Sequence, residues 1–192
     1  MRSVVLFCPW LGRDISGLLA AVPGALVHEG VRSAPGVDGC IESHHQIVQE
    51  AADAGASRVF VMEDDCAFTP AFSLDRWTAD ADWAEAHGYG AMTGACVLTW
   101  EPRMVRAGLV EVRQFCSAHC IVYFASAYEA VLRTISPHDK SLADVGVRSL
   151  VTVPFVAVQR PGYSGLLGKA VDYTDMYHRH ERWLGNFAGR SL

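Results

Sequence analysis

The sequence predicts a single α/β domain built on a mostly parallel central sheet flanked by helices. Three observations carry that expectation: continuous apolar runs at residues 3–8 and 58–62, an amphipathic segment between them, and a length of 192 residues. An apolar run without polar alternation marks a strand buried on both faces, as in a sheet covered by helices on either side. A chain of this length fits one domain of roughly 100–200 residues better than two. With 51% hydrophobic and 19% charged residues it has the material for a substantial core.

Taken in order, residues 3–8 form a first strand, closed by Pro9-Trp10-Leu11-Gly12. A short helix over 14–21 follows, with Asp14 as its N-cap and Pro23-Gly24 as its stop. Residues 25–28 form a second strand and 30–39 a loop rich in Gly and Pro. The next helix spans 40–54, with Ile41, Ile47, Val48, Ala51 and Ala52 apolar and Gly55 ending it. Residues 58–62 form the clearest strand, which runs directly into Glu63-Asp64-Asp65. Strand and helix alternate to this point, which argues for a doubly wound sheet with ligands gathered outside the carboxyl ends of its strands.

Beyond the triplet, a helix over 73–87 carries Trp77 and Trp83, and a strand over 89–99 is broken by Gly94. Residues 110–115 and 119–124 read as strands separated by Cys116-Ser117-Ala118. A helix over 126–135 stops before Pro137, and the last strand covers 150–158, where Pro154 marks an edge or a bulge. The tail, residues 165–192, is polar, aromatic and rich in Gly; it is expected to cover the site or to mediate a subunit contact, a homodimer being one outcome.

Composition removes several classes of function. The net charge is −5 and the sixteen Lys and Arg are scattered, so nucleic acid is disfavoured as a main partner. No apolar run approaches the roughly 20 residues that span a bilayer. The first ten residues end in Pro-Trp rather than in a small-residue cleavage site and read as a strand, not a signal peptide. Six cysteines, mostly inside apolar stretches, suit a reducing compartment, and the expected location is the cytoplasm.

Three consecutive carboxylates after a buried strand repel one another unless something positive lies among them. A hard divalent cation, Mg²⁺ or Mn²⁺, meets that need, because such ions take one or two carboxylates together with phosphate oxygens. The competing reading is a solvated turn that merely ends the strand, with Glu63 paired to an Arg.

Two blocks then carry a resemblance. Gly39-Cys40-Ile41-Glu42-Ser43-His44, followed by Val59-Phe60-Val61-Met62-Glu63-Asp64-Asp65, is similar in order and spacing to the Gly-Cys-x-x-Ser-His and Leu-x-x-Glu-Asp-Asp blocks of glycosyltransferase family 25. That family holds lipopolysaccharide and lipooligosaccharide glycosyltransferases and collagen galactosyltransferases. Ser117-Ala118-His119-Cys120-Ile121-Val122-Tyr123 resembles its Gly-x-His-x-Tyr strand, with Ser117 in the place of Gly. Leu142-Ala143-Asp144 is similar to a later Asp-containing segment, and Pro154 to Gln159 with Ser164 to the final Pro-x-x-x-x-Gln and Ser. The blocks span most of the chain from about residue 39 to 164, although the chain is shorter than typical members.

The resemblance implies a GT-A, Rossmann-like nucleotide-binding fold in which the triplet binds the donor. Asp65 is then the first choice for the metal, Glu63 approaches the ribose or donor sugar, and Asp64 holds the turn. The implied reaction is metal-dependent transfer of a hexose from a nucleoside diphosphate sugar, a UDP-sugar by first choice, to a hydroxyl of a saccharide or glycoconjugate with inversion. A sugar-nucleotide hydrolase or nucleotidyltransferase, or a binding module without turnover, would use the same cluster.

Other groups complete the candidate list. Asp144 could take the acceptor proton, or be a loop residue. Ser43 and His44 open the helix before the active strand and could face a ligand, or be a capping Ser and a packed His. Arg13 and Arg32, in loops after the first two strands, could meet the diphosphate or base. His178 or His180 could complete the metal's coordination, or sit solvated on a surface helix. His119 is more easily a satisfied core histidine than a site residue. Zinc at Cys116, His119 and Cys120 is disfavoured, because a strand turns alternate residues to opposite faces.

Overall fold

The computed structural model describes residues 1–33, 36–136, 138–165 and 167–188, the side chains of His138 and Ala188 apart. Pro137, the end of the predicted tail and part of the predicted 30–39 loop lie outside the described residues. In chain order the strands are Arg2–Phe7 (β1), Leu26–Glu29 (β2), Arg58–Glu63 (β3), Cys66–Phe68 (β4), Ala91–Thr93 (β5), Leu98–Trp100 (β6), Arg103–Arg106 (β7), Leu109–Val112 (β8), Gln114–Cys116 (β9), Cys120–Phe124 (β10), Ser149–Thr152 (β11), Ala157–Gln159 (β12), Gly162–Ser164 (β13) and Lys169–Val171 (β14). The helices are Ser16–Ala21 (α1), Gly36–Asp53 (α2), Leu74–Ala86 (α3), Tyr128–Val131 (α4), His138–Ser141 (α5) and Thr174–Ala188 (α6).

Eight strands form one sheet in the order β2-β1-β3-β10-β5-β11-β8-β7. The pairs β1–β2, β1–β3 and β5–β11 are parallel, whereas β3–β10, β10–β5, β11–β8 and β8–β7 are antiparallel. The sheet is therefore mixed, which corrects the expectation of a mostly parallel one. No helix separates β5 from β10, and a parallel neighbour needs a crossover of a dozen or more residues, usually helical. The stretch instead folds into short strands, among them the β7–β8 hairpin, whose turn contains Gly108 at φ +88°.

Strand alternation sorts the core into two halves. Val4, Val59, Val61, Ile121 and Tyr123 face one side, where α2 contributes Ile47, Val48 and Ala51 and α6 contributes Tyr177 and Leu184. Val5, Phe60, Met62, Val122 and Phe124 face the other, covered by Leu18 of α1 and Trp77, Ala81 and Ala84 of α3. Every residue from Val59 to Met62 is fully buried, as the unbroken apolar run predicts. The same parity points the next odd residue, Glu63, toward α2.

Several boundaries differ from expectation for identifiable reasons. Helix α2 starts at Gly36 rather than at residue 40, and carries a glycine inside its first turns. A Cβ on Gly39 would lie 2.2 Å from the Val31 carbonyl oxygen, so the close approach of helix and loop requires glycine there despite its low helix propensity. The predicted 89–99 strand divides into β5 and β6 around Gly94, where a Cβ would meet Cys120 and Val156 side chains at 2.8 and 2.9 Å. The 150–158 strand divides into β11 and β12 at Pro154, which has no N–H to give a ladder. The 126–135 helix shrinks to α4, after a 3₁₀ turn at Ala125–Ala127. Within the tail, Tyr177, His180 and Leu184 follow helical spacing in α6, and the Asp172 carboxylate accepts from the Thr174 N–H at 2.9 Å at its start. Among the described residues no helix is long and apolar enough to cross a membrane.

Candidate functional site

A cavity of about 410 Å³ opens where β1, β2 and β3 end and β10 begins. Its size lies within the range of small-molecule sites, roughly 300–1,000 Å³. Arg13, Arg32, Ser43, His44, Glu63, Asp64 and Asp65 all line it, so seven of the sequence candidates meet in one place. The three carboxylates have different surroundings.

Asp64 is committed to the scaffold. Its Oδ2 accepts from the Cys8 N–H at 2.8 Å, and its Oδ1 pairs with Arg13. Arg160 donates to the Asp64 carbonyl oxygen at 2.5 Å. Arg13 also lies 3.1 Å from Asp65 Oδ2 and donates to the Tyr163 carbonyl oxygen at 2.5 Å. Its guanidinium thus binds two adjacent carboxylates to the β13 strand, a buried arrangement that offsets their mutual repulsion.

Asp65 is only 5% exposed, and its Oδ2 takes both Arg13 and a 2.7 Å hydrogen bond from Gln159 Nε2. Its Oδ1 has no partner among the described residues. Burial, and then the neighbouring Glu63, push its carboxyl up to about 7. An orphaned carboxylate oxygen in a buried site is costly unless something outside the chain satisfies it. A hard divalent cation suits that oxygen, because Mg²⁺-class ions are held by one or two carboxylates plus phosphate oxygens.

Glu63 keeps 23% of its side chain open to the cavity and accepts from or pairs with His44 Nε2 at 3.1 Å. Its N–H donates to the His119 carbonyl oxygen at 2.8 Å, which fastens β3 to the loop before β10. Burial, followed by repulsion from Asp64 and Asp139, raises its carboxyl to about 7. His44 is fully buried, and its Nδ1 stands 3.0 Å from the Tyr123 hydroxyl. Burial lowers its imidazole to about 4, so the ring is neutral and orients Glu63 without neutralising it. Ser43 is structural: its hydroxyl donates to the Gly39 carbonyl at 2.6 Å and accepts from the Val31 N–H at 2.8 Å.

The facing wall comes from residues that sequence reasoning missed or ranked low. Asp139, on α5, accepts from the Ser117 N–H at 2.8 Å through Oδ2, while its buried Oδ1 has no partner among the described residues. Burial raises this carboxyl above the usual range. Ser117 adopts φ +116° and places its hydroxyl 2.6 Å from both His119 Nδ1 and the Tyr177 hydroxyl. His119 is 1% exposed, and its Nε2 is likewise unpartnered among the described residues. Asp65, His119 and Asp139 thus each bring a buried, unsatisfied atom to residues lining one cavity.

Three candidates lie elsewhere. Asp144 is exposed in the turn after α5, where its N–H donates to the Ser141 carbonyl at 3.1 Å, and Asp139 takes the place on the cavity wall. On α6 the inward position belongs to Tyr177, so His178, one residue on, faces solvent. His180 pairs with Thr99 Oγ1 at 3.1 Å and stacks on Trp183, outside the cavity lining. The tail supplies Gly165, Leu167, Tyr173 and Tyr177 to the wall, and Ser164 adjoins them from the end of β13.

No protein-family model matches the chain, and no curated protein matches it significantly. Among solved structures, the crystal structure of A197 from STIV has a TM-score of 0.55 at 11% identity, over 89% of this chain and 93% of that one. That likeness extends to the fold alone. An apo UDP-glucose pyrophosphorylase reaches a TM-score of 0.46 at 9% identity, over 90% of this chain and 68% of that one. A mannose-1-phosphate geranyltransferase from Thermus thermophilus reaches 0.37 at 16% identity, over 78% and 58%. Both are too distant to bear on function.

Proposed function

We propose that this chain is a GT-A-type glycosyltransferase similar to family 25, transferring a hexose from a nucleoside diphosphate sugar, a UDP-sugar by first choice, to a hydroxyl of a saccharide or glycoconjugate. The observation that carries the proposal is the unpartnered, buried Oδ1 of Asp65 on the wall of a cavity large enough for such a donor. The convergence of the family-like blocks supports it. Gly39, Ser43, His44, Glu63, Asp64, Asp65, His119, Gln159 and Ser164 come from separate stretches of chain and line one cavity. Ser117, where the family carries Gly, holds a φ of +116°, a conformation that favours glycine.

In this reading Asp65 Oδ1 would hold Mg²⁺ or Mn²⁺ together with the donor diphosphate, Glu63 faces the donor sugar, and Arg13 and Asp64 fix the triplet. The cation supplies charge neutralisation of the leaving diphosphate. Arg32, stacked 5.8 Å over the Trp10 ring at the cavity wall, offers a flat cationic face to the base. Asp139 replaces Asp144 as the base: its Oδ1 takes the acceptor hydroxyl proton as the new glycosidic bond forms and the bond to the diphosphate oxygen breaks.

Calorimetric titration with UDP tests the donor site. Mn²⁺-dependent binding is expected for the natural chain, with a loss of about 100-fold or more in Asp65→Asn. Equal affinity with and without Mn²⁺ would sink the proposal. Transfer releases nucleoside diphosphate when acceptor is present, whereas nucleotidyl transfer would release pyrophosphate.

A further inference from the structure

Sugar transfer gives no task to Cys40 and only an orienting one to His44. Helix α2 sets these two residues four positions apart, on one face, directly opposite Glu63. The Cys40 sulfur lies 3.9 Å from Glu63 Oε1, and His44 Nε2 lies 3.1 Å from the same oxygen. All three potential ligand atoms fall within 4.8 Å of one another. A tetrahedral ion with bonds of about 2.3 Å to sulfur and about 2.0 Å to nitrogen or oxygen spaces its ligands by roughly 3.3–3.6 Å. The two separations to Glu63 Oε1, 3.9 and 3.1 Å, differ from that by a few tenths of an ångström, and Sγ and Nε2 lie within 4.8 Å of each other.

The surroundings also fit a metal. The His44 Nδ1 is 3.0 Å from the hydroxyl of Tyr123, which is fully buried. A metal-bound imidazole characteristically uses its second nitrogen to donate to such a partner, which fixes ring and tautomer. Among the described ion pairs Glu63 has no Arg or Lys partner and faces only the neutral His44 ring. Cys40, His44 and Glu63 all line the cavity, so a fourth ligand position would open into it.

We propose that Cys40, His44 and Glu63 form a site for a zinc-class divalent cation, separate from the hard-ion position at Asp65. The sulfur, nitrogen and oxygen donors select a borderline-soft ion over Mg²⁺. Binding releases the Cys40 proton to solvent, forms bonds to Sγ, Nε2 and Oε1, and ties α2 to the end of β3. The fourth position takes water or a ligand oxygen from the cavity.

The test uses the reduced, chelator-treated full chain titrated with Co²⁺. One equivalent should produce a thiolate-to-cobalt charge-transfer band in the near ultraviolet and the intense visible bands of tetrahedral cobalt. Stoichiometric Zn²⁺ should remove them and excess Mg²⁺ should not. Cys40→Ser should abolish the charge-transfer band and weaken Zn²⁺ binding by about 10-fold or more. Asp65→Asn should retain the band even as it loses nucleotide, so this site and the donor-site reading fail separately. The absence of a thiolate band, or a band that survives Cys40→Ser, overturns the proposal. X-ray absorption at the zinc edge of the unmodified chain gives a check that needs no variant: one sulfur neighbour supports the site, and none or several refutes it.

Discussion

The two walls of the cavity are built on different principles. The wall at the ends of β1 and β3 is made of consecutive residues whose directions follow from strand parity and from the turn after a buried strand. The facing wall gathers single residues from the loop before β10, from α5, β12 and α6. On the first wall Arg13 and the Cys8 N–H absorb most of the carboxylate valence, leaving Asp65 Oδ1 open; on the second, Asp139 Oδ1 and His119 Nε2 are open. Under the proposed transfer reaction, this asymmetry suits a donor fixed on the rigid, charged wall and an acceptor activated by the less saturated groups.

The strongest way to break that division is Asp139→Asn. The substitution keeps the shape and the acceptor oxygen for the Ser117 N–H but cannot take a proton. A fall in kcat of about 10²–10⁴-fold with little change in donor KM is expected, the usual contribution of a positioned base. A loss of nucleotide affinity with kcat intact would instead move Asp139 to the donor wall.

A smaller effect sharpens the description of the first wall. At Gly39 a Cβ would collide with a backbone carbonyl, whereas at Gly185, in α6, it meets nothing within 4 Å. Gly39→Ala should destabilise the chain by about 1–3 kcal/mol, since neither helix nor loop can yield without moving the other. Gly185→Ala should stabilise it by up to about 1 kcal/mol through helix propensity. Urea unfolding of both variants measures the contrast. Similar values for the two would mean that the α2 approach to Val31 is not tight.

The same contrast explains what could be read from the sequence. The run at Val59–Met62 placed β3 and, with it, the triplet; the division of labour between Asp64 and Asp65 needed the partners of each oxygen. Ser43 and His44 were visible as a motif, but only the contacts show that one holds the helix and the other orients Glu63. Asp139 had no signal, because it follows Pro137 in a short stretch with no periodicity, and its neighbours in space are 22 residues away at Ser117. The sheet's mixed character was hidden for a related reason: short strands joined without helices give the same apolar runs whichever direction they pair. Helix α6 did carry a legible pattern in Tyr177, His180 and Leu184, which the polar residues between them obscured.

The subtlest test of the comparison is the response of the donor wall to pH in the absence of metal. Glu63 and Asp65 keep a proton to about 7 in the folded chain, chiefly because burial penalises their charged forms. In the unfolded chain both ionise near 4. Between those values the folded state binds more protons than the unfolded one, so their contribution to stability falls as pH rises from about 4 to about 7 and is flat above. His44 and His119, held neutral by burial, act in the opposite sense below about 6.5, because there the unfolded chain takes up the protons. Comparison with Asp65→Asn isolates the carboxylates. Relative to that variant, the natural chain should be less stable at about pH 8 than at about pH 5, by on the order of 1 kcal/mol for one strongly coupled proton. Mn²⁺ should reverse the difference at the higher pH, because it binds the ionised form. A difference that ignores both pH and Mn²⁺ would mean that Asp65 is ionised and satisfied in the resting fold, and that its open oxygen is not waiting for a cation.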